Sequence, residues 1–202
     1  SSAIVQFMTK DQGRIVGVAR GVRGTQRRVN SIQPFNVGTL SYFGRNNLVN
    51  VAKFDAAHGF NLRGDVLFGG FYVLELLSRL IAERQKEPEI FAGAVSALTA
   101  MEAGHELQAV LRCFELDLLG QLGYEVVFDQ DAEEGRAIAP DVYYRYQAQV
   151  GFTKALQGRE IESDPTVVQG RWLQCIWRRD FDQPEARRAA KHITRQALQA
   201  AR

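Results

Sequence analysis

The chain is poor in the residues that most often carry chemistry. It holds only two cysteines, Cys113 and Cys175, in 202 residues. That is too few for a disulfide framework or a four-thiolate zinc site. Its three histidines, His58, His105 and His192, are scattered, with no spacing that would seat a nucleophile, a base and an orienting acid. No G-x-G-x-x-G occurs, and no glycine-rich loop ends in Lys-Ser or Lys-Thr, which argues against a nucleotide site. No apolar run approaches the roughly 18 residues needed to cross a bilayer. The richest stretch, Val66 to Ile81, is interrupted by Glu75 and Arg79. No signal-peptide pattern opens the chain. These absences predict a cytosolic, reduced protein that is not an enzyme and carries neither cofactor nor metal. Ser1 opens directly into strand-like alternation, and Arg202 follows no helix stop signal; native segments at both ends are expected to be missing.

What the chain does have is a segregated charge. Its net charge of +2 hides three blocks. Residues 1–64 carry nine Lys or Arg against two acids, a net of +7. Residues 65–170 carry eight bases against eighteen acids, a net of −10, and residues 171–202 eight bases against three acids, a net of +5. Basic ends around an acidic middle predict a polyanionic partner touched by the ends.

Ala3 to Thr9 and Arg14 to Arg20 read as two strands, turned through Lys10-Asp11-Gln12-Gly13, with Gly13 suited to a left-handed turn position. A second hairpin is expected between Thr39–Phe43 and Leu48–Phe54, turning through Gly44-Arg45-Asn46-Asn47. About four strands with no helix between them fit a small barrel, an OB-fold lacking its first strand. Between the hairpins, the glycine-spaced arginines Arg20, Arg23, Arg27 and Arg28 could follow a phosphate backbone without reading bases. Alone, they would equally be a solvated loop. OB-folds commonly pair such a groove with aromatic platforms. Phe7, Phe35, Tyr42 and Phe43 are candidates, although alternation does not say which of them face the core.

The rest of the chain reads as helical. Asp65 caps a helix to about Arg84, apolar on nearly all sides and so expected to be buried as a central element. Pro88 starts another to about Ala103, ended by Gly104. From Leu107 to Tyr124, apolar Leu107, Leu111, Phe114, Leu118 and Leu122 recur at spacings of three or four. Gly123 provides the left-handed stop there. Residues 142–146 and 151–155 form a short hairpin. Trp172, Leu173, Ile176 and Trp177 give one more apolar face after Gly170. Asp182-Gln183-Pro184-Glu185 starts a last helix with Ala186, Ala190, Ile193 and Ala197 inward. Arg187, Lys191 and Arg195, spaced by four, line another of its faces, with Arg188 nearby. Two acidic groups imitate metal sites. Glu102, His105 and Glu106 are interrupted by Gly104, and Asp129–Gly135 has its glycine one place late for a calcium loop; both are read as surface.

The wording Arg112-x-Phe114-Glu115-x-x-Leu118-Leu119-x-x-Leu122-Gly123-Tyr124 resembles the signature helix of the RecO family of bacterial recombination mediators. Gly13-Arg14, Ala19-Arg20-Gly21-Val22-Arg23, Ile32-Gln33-Pro34-Phe35, Tyr72-x-x-Glu75-Leu76-Leu77 and Ala186-Arg187-Arg188-Ala189-Ala190-Lys191 extend the resemblance over nearly the whole chain. It implies an α+β protein with an OB-fold barrel over residues 1–63 and a mainly helical domain over residues 64–202. It further implies binding of single- and double-stranded DNA and annealing of complementary strands. With RecR, such a protein loads RecA onto DNA coated by single-stranded DNA-binding protein, in the bacterial cytoplasm at the nucleoid. The expected DNA contacts are Arg14, Arg20, Arg23, Arg27, Arg28, Arg45, Arg187, Arg188, Lys191 and Arg195. Arg112 either pairs with Glu115 one turn on or stands at the edge of a groove. There it would meet the acidic tail of single-stranded DNA-binding protein. Many family members carry a four-cysteine zinc module around the hairpin near residues 142–155. Here Phe128 to Asp141 contain no cysteine, so no zinc is expected. An RNA-binding OB protein and a nucleic-acid-processing enzyme are the alternatives.

Overall fold

The computed structural model describes residues 2–20, 32–44, 47–155, 164 and 166–201. It is α+β, as expected, and divides into two compact units, Ser1–His105 and Glu106–Arg202.

In the first unit, β1 (Ser2–Thr9) and β2 (Gly13–Arg20) form the expected hairpin, Ser2 facing Arg20 and Thr9 facing Gly13. β3 (Asn36–Phe43) pairs antiparallel with β4 (Leu48–Gly59), and β4 runs parallel to β2 from Val16↔Leu48 to Ala19↔Val51. The result is one mixed sheet in the order β1-β2-β4-β3, with β1 and β3 outermost. Alternation in β2 is complete: Gly13, Ile15, Gly17 and Ala19 are buried and the residues between them are not. Ala19 and Val51 anchor a small core against Val5, Phe7, Ile32 and Leu40. Gly13 has φ +68°, and a Cβ there would lie 1.8 Å from the Gln85 carbonyl oxygen. The hairpin turn is therefore closed on the chain just past the first helix, a position open only to glycine.

That helix, α1, spans Asp65–Leu80. It begins at Gly64, whose φ of 56° and lack of a side chain make it a different cap from the expected Asp65. It also stops four residues before Arg84. Arg14 reaches 2.9 Å from its Nε to the Ile81 carbonyl, and the Arg84 N–H donates to the Arg14 carbonyl. Residues 81–84 are drawn onto β2 and leave the helix. Val73, Leu76 and Leu77 are buried, yet Phe68 is 71% exposed and Phe71 nearly half exposed. α1 is thus two-faced, not surrounded by core. α2 (Pro88–Glu102) carries proline in its first turn and ends at Gly104, φ +83°. Among the described residues no helix is long and apolar enough to cross a membrane.

The second unit is built on α3 (Leu107–Gln121). Its end is a Schellman cap: Gly123, φ +80°, lets the Tyr124 N–H donate to the Leu119 carbonyl at 2.8 Å. α3 is covered more completely than its heptad face implies. Leu111, Phe114, Leu118 and Leu119 are buried, and so are Arg112, Glu115 and Leu116. β5 (Tyr143–Gln147) and β6 (Gly151–Lys154) make the expected hairpin. A third strand, β7 (Val167–Gln169), joins β5 on its other side. Phe152 on the outer strand β6 is fully buried, its ring 5.1 Å from Tyr146 and 5.5 Å from Phe128. α4 (Gly170–Trp177) and α5 (Pro184–Ala200) follow, and both α3 and α4 pack on α5.

Candidate nucleic-acid interface

The ten arginines and lysines expected to meet DNA separate into three groups. Arg23, Arg27, Arg28 and Arg45 lie outside the described residues. Arg14 and Arg187 are fasteners within their own units. Arg14 donates to the Ile81 carbonyl and pairs with Glu83 at 3.5 Å, its side chain 17% exposed. Arg187 donates to the carbonyls of Phe181 and Asp182, closing the loop before α5. A guanidinium committed to backbone carbonyls has few donors left for a phosphate. Arg188 pairs with Glu185 at 2.7 Å, three residues back on the same helix.

Arg20, Lys191 and Arg195 remain. All three are exposed. Arg20 is the last residue of β2. Lys191 and Arg195 stand one turn apart on α5, opposite buried Ala186, Ala190, Ile193 and Ala197. The stripe spaced by four is therefore real for two of its three members. The face that carries it also includes Arg188 and His192, both exposed.

Among the four aromatic candidates only Phe43 is exposed; it ends β3 at the hairpin tip. Phe35 is buried and meets Phe71 edge-on at 4.9 Å. Phe7 stacks obliquely on Phe54 at 5.8 Å, and the Tyr42 hydroxyl donates to Gln12. Phe7 and Tyr42 line an apolar cleft of about 700 Å³ shared by β1, β3, α1 and α2.

Arg112 lies inside the second unit, 4% exposed, bonded at 2.7 Å to Glu115, which is 1% exposed. The Thr194 hydroxyl of α5 donates to the other Glu115 oxygen. Of the two readings open for Arg112, the geometry supplies the intrahelical pair, in the core and not on the surface.

The imitation metal sites resolve into separate tasks. Glu102 accepts the Asn61 N–H at 2.7 Å and pairs with His58, and Glu106 caps α3 through the Ala109 N–H. Asp131 is buried, not on the surface: its carboxylate accepts the N–H groups of Glu133 and Glu134. Those bonds, the Glu134 N–H foremost, hold its carboxyl below the usual range. Among the described residues no group of three or more His, Cys, Asp or Glu is placed to hold a metal. Burial pushes the Cys113 and Cys175 thiols up, so neither is a ready nucleophile at neutral pH.

One exposed group escaped the sequence reading. Trp177 lies four residues after Leu173, a spacing that predicts an inward ring, yet it is 56% exposed while Leu173 and Ile176 are fully buried. The helix ends at Trp177, and Arg179 takes φ +57° to redirect the chain. Periodicity has no following turn to enforce at a helix's last residue.

Residues 1–60 match the family model described as Recombination protein O N terminal, and residues 62–201 that described as Recombination protein O C terminal. The chain is similar to a protein of Pseudomonas paraeruginosa named DNA repair protein RecO. The two are 38% identical over 98% of this chain and 82% of that protein. Proteins of the same name from Actinobacillus succinogenes and Methylococcus capsulatus are 34% and 35% identical over 98% of this chain. They are covered over 82% and 80% of their own lengths.

Proposed function

The chain belongs to the RecO family, and from that premise we propose that it is a non-catalytic DNA-binding mediator of recombinational repair. It binds single- and double-stranded DNA, anneals complementary strands and works with RecR to load RecA onto DNA coated by single-stranded DNA-binding protein. It acts in the bacterial cytoplasm, at the nucleoid. Residues 1–63 and 64–202 are its functional domains, with the OB-like sheet as the first DNA-binding element.

The observation that carries this reading is the state of the cations on α5. Four basic side chains follow Pro184 on that helix. Two are neutralised within the chain, and Lys191 and Arg195 are left exposed, without an ion-pair partner among the described residues. Exposed, unpaired bases condense on a phosphate backbone and release its counterions. The same neutralisation lets two complementary strands approach one another. Arg20 and the arginines Arg23, Arg27, Arg28 and Arg45 would serve in the same way, with Phe43 exposed at the end of β3. A contact from Arg112 to the acidic tail of single-stranded DNA-binding protein would require the seam between α3 and α5 to open. Its buried pairing with Glu115 favours an internal role.

The test is DNA binding measured across a salt series. Log affinity should fall linearly with log salt, and Lys191→Ala and Arg195→Ala should each reduce the slope by about one. Arg14→Ala should leave the slope unchanged while lowering stability. A flat salt dependence in the unsubstituted chain counts against the reading.

A further inference from the structure

Trp177 is the feature of the second unit that packing leaves unexplained. Its neighbours on α4 show what the core takes: Leu173 and Ile176 are fully buried, and Gly170 is packed so closely that a Cβ would meet the Ala139 carbonyl oxygen at 2.0 Å. Trp177 lies outside that packing with more than half its surface in solvent.

The chain holds it there by a fixed device. The Arg179 N–H donates to the Ile176 carbonyl at 3.0 Å, and the Asp180 N–H to the Cys175 carbonyl at 2.9 Å. This is the double bond of a Schellman cap, with arginine at the left-handed position usually given to glycine. Arg179 is fastened in turn to Asp117 of α3 at 2.7 Å. The end of α4, with Trp177 as its last residue and Arg178 as its C-cap, is thereby closed by two backbone hydrogen bonds and linked through Arg179 to α3.

The surrounding charge specifies the ligand. Asp117 is occupied by Arg179, and Asp180 accepts the Asp182 N–H. Arg178 is exposed and has no ion-pair partner among the described residues. An exposed indole, followed one residue on by an exposed guanidinium, offers an apolar ring face and a cation on the same helix end. Unpaired nucleobases on a phosphate backbone have the complementary form, a π-face next to an anion.

We propose that Trp177 and Arg178 are a contact site for single-stranded nucleic acid, the indole stacking on an unpaired base and the guanidinium meeting its phosphate. The proposal rests on the DNA-binding reading above and adds to it a preference for single strands located in the second unit.

The test uses the full chain carrying Trp172→Phe, which leaves Trp177 as its one tryptophan. Its emission should be quenched as an oligothymidylate saturates the protein, and less by the matched duplex, whose bases are already stacked. In the otherwise unsubstituted chain, Trp177→Ala should weaken oligothymidylate binding about 5- to 150-fold. Trp177→Phe, which keeps a ring, should stay within about threefold. Unquenched emission with oligonucleotide bound, or Trp177→Ala binding within about twofold of the unsubstituted chain, overturns this proposal. The second outcome would leave the ring to a protein partner or to no partner, and the DNA-binding reading would stand. Failure of the unsubstituted chain to bind the oligonucleotide at all overturns both.

Discussion

Arg112 and Glu115 sit one helical turn apart with 5% and 1% of their side chains exposed, and Thr194 completes the group from α5. Two charges withdrawn from water are tolerated only while each answers the other, so removing one strands its partner. Glu115→Ala and Arg112→Ala should each lower unfolding free energy by about 3–5 kcal/mol, read from denaturant midpoints. A loss below about 1 kcal/mol, the range of an exposed pair, would show that water reaches the site. The sequence offers Arg-x-x-Glu as either an exposed or a buried pair, and nothing within one turn distinguishes the two. Burial comes from the packing of α5 on α3, which brings Thr194 onto Glu115 from 79 positions away. Arg14 and Arg187 were illegible for the same reason. Each looks like a free cation until the carbonyls it serves, at Ile81, Phe181 and Asp182, are seen in place.

Most elements were legible because their signals are local. Gly13 closes the first hairpin, Pro88 opens α2, and Gly104 and Gly123 end α2 and α3 at the expected residues. The misses depend on distant neighbours. α1 loses its last turn to β2, and β7 pairs with β5 across a segment without periodic signal. The exposed rings of Phe68 and Trp177 have the same origin, since a 3.6-residue period marks which positions share a face but not whether anything covers that face. Gly38 offers a test at this scale. A Cβ there would lie 2.0 Å from the Asp55 carbonyl oxygen, at the register shift between Val37 and Gly38 in the β3–β4 pairing. Gly38→Ala should destabilise the first unit by more than about 1 kcal/mol. Hydrogen exchange should show β3 and β4 losing protection before α1. Equal protection to the unsubstituted chain would mean that the strands can shift apart freely.

At the scale of the whole chain, titration bounds the conditions under which it is stable. Asp131 is held low chiefly by the Glu134 N–H, and Asp164 chiefly by the Thr166 hydroxyl. A carboxyl whose folded pKa is depressed contributes stability fully present above its unfolded value, about 3.9. That contribution disappears as pH falls through the lower folded value. Lys154 is raised, first by its hydrogen bond from Nζ to Glu134. Its contribution is present below about 10.4 and lost as pH rises through the folded value. Thermal unfolding across pH should therefore decline at both extremes. Replacing Asp131 with Ala should make the acid side, which Asp164 still supports, shallower, and should slightly weaken the alkaline contribution too, because the Asp131 charge helps to raise Lys154.

The sheet order leaves β1 and β3 outermost, with Ile4 70% exposed on one and Phe43 61% exposed on the other. An outer strand with a large apolar side chain is a template on which further chains can stack edge to edge. The consequence is colloidal: concentrated solutions should form β-rich aggregates seeded at these rims. A single lysine in place of Ile4 would act as a gatekeeper there. It should delay the onset of light scattering on warming while leaving the unfolding midpoint nearly unmoved.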